Sequence, residues 1–136
     1  MSYAVAAALQ TAIYQTLIAD TTVSGLIGTA VYDAVPSGAV PDLYISLGPE
    51  IASDASDKTG SGALHRFTIS VISNAPGFAT AKTLAAAICD ALVDGDLSLS
   101  RGRVVHLNFD KAAAARIGAG NGRKIDLRFA ARVEDD

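Results

Sequence analysis

Lys124-Ile125-Asp126-Leu127-Arg128-Phe129-Ala130-Ala131-Arg132-Val133 alternates along its whole length. Side chains on a strand point to opposite faces in turn, so Ile125, Leu127, Phe129, Ala131 and Val133 are assigned to a core. Lys124, Asp126, Arg128, Ala130 and Arg132 then face away from it. A strand with one apolar and one polar face belongs to a sheet covered on one side only, the usual arrangement of antiparallel sheets.

Working outward from this strand, Asn121-Gly122 just before it is a hairpin signal. Its partner strand covers residues 104–109. The run Ala112 to Ala115 between them favours helix by propensity alone, but the hairpin is expected to extend through it. Residues 65–73 alternate in the same way, with Phe67, Ile69 and Val71 inward and Arg66, Thr68 and Ser70 outward. So does Asp42-Leu43-Tyr44-Ile45-Ser46-Leu47-Gly48. Val31-Tyr32-Asp33 reads as a short extended piece. Residues 50–62 have no period and are rich in loop formers, which predicts a long contact loop.

Two segments carry helical spacing. Residues 2–19 place Val5, Leu9, Ile13 and Leu17 at every fourth position, with Ser2 able to cap. A short helical turn over residues 23–27 follows and ends at Gly28. Residues 78–93 bring Phe78, Ala81, Leu84, Ala85, Ile88 and Leu92 onto one stripe, closed by Asp94-Gly95-Asp96. The expected fold is α+β: a two-layer sandwich with a largely antiparallel or mixed sheet of four to five strands, two main helices packing on one face.

The chain has 136 residues, half of them apolar and 18% charged, enough for one core and too few for two. It holds 26 Ala, no Trp and eight aromatics, which argues for close packing and against a large aromatic pocket. The net charge of −3 conceals a polarity: residues 1–100 carry three basic and nine acidic side chains, residues 101–136 eight basic and five acidic. Attraction of the whole chain to nucleic acid is not supported, whereas matching patches of opposite sign would suit self-association. The outward sheet face, with Arg66, Arg128 and Arg132, is polar and net basic. It is read either as a solvated face or as one that meets a partner subunit or lines a channel.

Enzyme constellations are few. His65 and His106 each lie inside a strand with no adjacent cysteine and no Glu-x-x-His spacing, so a metal site lacks ligands. Both are expected on the domain surface. Cys89 is the single cysteine and falls in an apolar helical run, where it is expected to pack as a small hydrophobe. Gly118-x-Gly120-x-Gly122 lacks phosphate-loop spacing and precedes a strand instead of a helix. No catalytic, metal or cofactor residue is assigned, and no cofactor is expected. The N-terminus lacks the basic region of a signal peptide and no apolar stretch nears membrane-spanning length, so the chain is expected to be made in the cytoplasm, without membrane contact.

The order of these segments resembles the tail-terminator, or tail-completion, family of long-tailed phages and phage-like gene transfer agents. The residues that carry the resemblance are Val31-Tyr32-Asp33-Ala34-Val35-Pro36, Pro41 through Gly48, the strand 67–73, the alanine-rich helix, Leu97-Ser98-Leu99-Ser100-Arg101-Gly102-Arg103-Val104-Val105 and the closing stretch 121–133. Residues 1–136 would then form a single tail-terminator-like domain with no enzymatic role. The resemblance implies a homo-oligomeric ring, typically a hexamer, at the neck end of a virion tail. Its implied partners are the tail tube protein and the head–tail connector or stopper protein, with DNA only as cargo in the lumen and synthesis in the bacterial host cytoplasm. A head-completion or neck protein of the same particle is the nearer alternative, and a small ligand-binding domain or enzyme the more distant one. Subunit or tail contacts are expected at Asp54, Asp57, Lys58, Arg66, Arg116, Arg123, Arg128 and Arg132.

Overall fold

The computed structural model describes residues 3–58, 60–93, 95–118 and 120–136. The expected capping by Ser2 and the helix stop at Asp94 lie outside the described residues. Three helices, α1 (Ala6–Ala19), α2 (Thr21–Ile27) and α3 (Ala79–Val93), accompany five strands: β1 (Val31–Tyr32), β2 (Leu43–Asp54), β3 (Gly62–Ser73), β4 (Arg103–Arg116) and β5 (Arg123–Glu134). The sheet order is β1-β2-β3-β5-β4. All neighbours are antiparallel except β1 and β2, which pair in parallel at Val31–Ile45 and Tyr32–Ser46. This is an open, mixed α+β sheet, as the alternating strands predict.

Asp20 separates the first two helices and serves both. Its backbone N–H still donates to the Thr16 carbonyl of α1, and its carboxylate accepts the Val23 N–H at 2.9 Å to cap α2. Gly28, at φ 61°, ends α2 in the left-handed region that glycine enters without strain. The apolar stripe of α1 (Leu9, Ile13, Leu17) and that of α3 (Ala81, Leu84, Ile88, Leu92) bury against one face of the sheet. Small residues on α3 let it lie close to β3 and β5. The inward side chains of β5 are buried as expected, and Phe129 sits between the rings of Phe67 (centroids 5.6 Å apart, stacked) and Phe109 (5.9 Å, edge-on).

Two expectations are corrected. Residues 50–62 are not one loop: β2 continues to Asp54 and β3 begins at Gly62, leaving the described residues 55–58 and 60–61 in the turn that joins them. The pairing register of β2 shifts by one residue between Leu47 and Glu50, a β-bulge around Gly48-Pro49. Beyond it the inside–outside alternation restarts in the opposite phase, so residues 50–54 show no pattern continuous with 43–47. His65 is not on the surface. It follows the phase of Phe67, Ile69 and Val71 and is fully buried, whereas His106 is exposed as expected. Cys89 is half-buried, and burial, followed by the charge of Asp90, pushes its thiol pKa up.

Candidate functional site

The sheet face away from the helices presents Arg66 and Thr68 from β3 beside Lys124, Asp126, Arg128 and Arg132 from β5. Register places Thr68 opposite Arg128 and Ser70 opposite Asp126. The Ser70 hydroxyl donates to Asp126 Oδ1 at 2.6 Å, and Lys124 Nζ lies 3.6 Å from the same oxygen, so Asp126 is held by two neighbours. Arg66 and Arg128 are exposed and line a hollow of about 160 Å³ with Pro49, Ile51, Thr68 and Asp110. Guanidinium groups on a flat polar face can form bidentate contacts with carboxylates or phosphates of another molecule.

Arg132 has a different role from Arg128. Its Nη2 donates to the Ala55 carbonyl at 2.9 Å and lies 3.7 Å from Asp57 Oδ2. It therefore ties the 55–61 turn to β5. Within that turn the Ser56 hydroxyl donates to Asp54 Oδ1 at 2.7 Å, Gly60 N–H to Asp57 Oδ1 at 3.0 Å, and Gly62 N–H to Ser56 Oγ at 3.2 Å. The Ser56 hydroxyl is the first cause holding the Asp54 carboxyl below its usual range. Asp54, Asp57 and Lys58 are all exposed, so this end of the molecule is a structured turn with charged side chains outward.

At the opposite end, β4 runs level with β5 as the edge of the sheet, and every residue of β4 from Asn108 to Arg116 is exposed. Arg116 stands at the end of this edge strand, opposite Arg123. Arg123, expected to be a contact residue, is only 7% exposed. Its guanidinium lies 5.2 Å from the Phe78 ring centroid and donates from Nη1 to the Asn121 and Gly122 carbonyls at 3.0 and 3.2 Å. It secures the base of the hairpin to the start of α3. The phase of β5 carries the signal: Arg123 is two residues before Ile125 and so points inward.

A second polar cluster was not anticipated as such. The buried His65 donates from Nδ1 to Glu50 Oε2 at 3.0 Å, because a carboxylate can only accept. Tyr3 donates its hydroxyl to the other Glu50 oxygen and stacks on the His65 ring, centroids 5.9 Å apart. That hydroxyl bond to Glu50 raises the Tyr3 pKa above its ordinary value. Nε2 of His65 has no hydrogen-bond partner among the described residues. The cluster pins the segment before α1 to β2 and is built for anchoring. Among the described residues no group of three or more His, Cys, Asp or Glu is placed to hold a metal ion, and no helix is long and apolar enough to cross a membrane.

Comparison with known proteins places this fold in a family. No curated protein matches the chain. Among solved structures, a chain of the virion of a native gene transfer agent (GTA) particle is 62% identical and superposes with a TM-score of 0.91, covering 98% of this chain and 99% of that one. The family model for tail completion protein gp17 matches residues 11–134, nearly the full length of the five-stranded sheet and its helices. The chain belongs to the tail completion protein gp17 family.

Proposed function

We propose that this protein is a structural component of a phage-like particle, a gene transfer agent or a long-tailed phage, that forms a ring at the neck end of the tail. The ring, hexameric in this reading, caps the tail tube, ends its polymerisation and joins the tail to the head-side connector. DNA passes through the lumen as cargo, the subunit is synthesised in the bacterial host cytoplasm, and no catalysis is involved. The observation that carries the reading is the near full-length likeness, at 62% identity, to a chain of a gene transfer agent virion. Family membership adds the assignment to tail completion.

The surfaces suit the role. Subunits of a ring join head to tail, so each needs two different, matching surfaces. The exposed Arg66 and Arg128 make a basic patch on the sheet face, and the carboxylates of Asp54 and Asp57 stand at the β2–β3 end. Arg116 and Lys58 are exposed at opposite ends of the sheet, where the tube and the connector would be met.

The test is deletion of the gene followed by electron microscopy of the particles. Overlong tails lacking heads are the expected result. Tails of normal length that fail to join heads would instead favour a neck or head-completion protein. Normal, joined tails would end the proposal.

A further inference from the structure

We infer that the ring interface is a strand-to-strand joint, in which the free edge of β4 in one subunit pairs antiparallel with the free edge of β2, over residues 48–53, in the next. The inference rests on the ring reading above and supplies its contact.

Both edges lack a strand neighbour among the described residues. β4 is the last strand in the sheet order, and β1 pairs with β2 only at Ile45 and Ser46. An edge strand offers a row of backbone donors and acceptors, and a long apolar one is a template for another chain. The two edges carry the exposed apolar side chains that such a joint would cover. Ile51 is 74% exposed on β2, while Val105 and Phe109 are 44% and 45% exposed on β4. Beside β4, a groove of about 310 Å³ opens between Leu92, Val93 and Leu97 on one side and Val105 and Leu107 on the other. It leaves room for a neighbouring main chain at the rim of the helical layer.

The occupant is a second copy on three counts. First, polarity: β2 opposes β3, β3 opposes β5 and β5 opposes β4, so β2 and β4 run in opposite directions. A copy set alongside in the same orientation therefore presents β2 antiparallel to β4. Second, height: Ile51 is level with Arg66, Ala130 and Asn108, and Glu50 with Phe67, Phe129 and Phe109. A sideways shift with no rise brings the two segments opposite each other. Third, charge: residues 48–58 carry three carboxylates and one lysine, whereas β4 carries Arg103, Lys111 and Arg116 against Asp110. Like edges repel and unlike edges attract, which selects the head-to-tail joint over a two-fold one. Register shifts at Val104/His106 and Phe109/Lys111, together with Pro49, interrupt each edge and restrain open-ended pairing of the lone subunit.

The test is disulfide trapping in purified particles. Ile51→Cys is combined in one chain with Asn108→Cys, or with its same-face neighbours His106→Cys or Lys111→Cys, in a Cys89→Ala background. Mild oxidation is expected to give a ladder of linked subunits for at least one pair, and none for any single variant. As a second measurement, Ile51→Lys and Val105→Lys, each with an unchanged melting curve, are expected to lower incorporation into tails at least tenfold. No ladder from any pair, in particles whose micrographs still show the ring, would overturn the joint and leave the ring reading standing. Wild-type particles with no multimer of this protein at the tail end would overturn both.

Discussion

Replacing Glu50 by Ala should destabilise the fold by about 2 kcal/mol, although the residue is partly exposed. His65 is fully buried, and Glu50 supplies the one hydrogen bond described for its ring, at 3.0 Å. Without it both ring nitrogens would be buried and unpaired, and stranding one buried polar group costs about 1–3 kcal/mol. Loss of the bond from Tyr3, which is 63% exposed, adds a few tenths of a kcal/mol at most. For a chain of 136 residues about 2 kcal/mol lowers the melting temperature by roughly 8 °C. Glu50→Gln keeps an acceptor oxygen and should cost less than half as much. His65→Phe removes both ring nitrogens, one of them unpartnered already, at similar volume and leaves the part-exposed Glu50 carboxylate to water and Tyr3, so it should be close to neutral. In that background Glu50→Ala should cost under about 0.5 kcal/mol, giving a coupling near 1.5 kcal/mol in a double-mutant cycle. Urea and thermal unfolding of wild type and the four variants measure these values. A cost below about 0.5 kcal/mol for Glu50→Ala in the wild-type background would refute the reasoning.

Other perturbations have equally definite outcomes. The Tyr3 hydroxyl should titrate above the ordinary phenol value of 10.0, because the Glu50 carboxylate accepts its proton in a hydrogen bond. Since the folded pKa is the higher one, the stabilisation is complete below the ordinary value and is lost as pH rises through the folded one. Ultraviolet titration of wild type against Tyr3→Phe checks this. Arg128→Glu should leave unfolding within about 0.5 kcal/mol of wild type, as is usual for a surface substitution, yet reduce incorporation into tails. Arg132→Glu should additionally speed hydrogen exchange in the 55–61 turn, since its guanidinium holds the Ala55 carbonyl. Gly102→Ala should destabilise by more than about 2 kcal/mol, measured by urea unfolding: the residue has φ +71°, and a Cβ there would lie 2.5 Å from the Glu134 carbonyl oxygen.

Where alternation ran unbroken, sequence was a good guide. β5 was legible residue by residue, and the α3 stripe needed only the spacing of Ala81, Leu84, Ile88 and Leu92. Ala112 to Ala115 carried a helix propensity that cross-strand pairing to β5 outweighs. The continuation of β2 past Leu47 was hidden because a bulge breaks the period and Glu50-Ile51-Ala52-Ser53-Asp54 has little strand propensity of its own. Its strand state comes from lying opposite β3, a long-range cause. His65 and Arg123 were both placed by phase and misjudged by residue type, since polar side chains are usually outside. The Tyr3–Glu50 contact joins residues 47 apart and leaves no local mark in the sequence. Of the candidate surface, the charge polarity and the basic outer face were readable, whereas the free edge of β4 needed the sheet order.

The one-residue register shift between Leu47 and Glu50 works as a parity setting for the rest of β2. Because a strand has only two faces, a single extra residue exchanges the fate of every side chain after it. Here the exchange sends Glu50 inward to His65 and leaves Ile51 outward, the reverse of what polarity alone would choose. Straightening the strand through Gly48-Pro49 at unchanged length would restore the conventional assignment, with Ile51 inside and Glu50 in water. Such a chain would gain an ordinary apolar contact while losing both its buried histidine's partner and its outward isoleucine. The bulge is therefore a discrete exchange between two surface chemistries: the same residues, with and without it, present opposite sets of side chains.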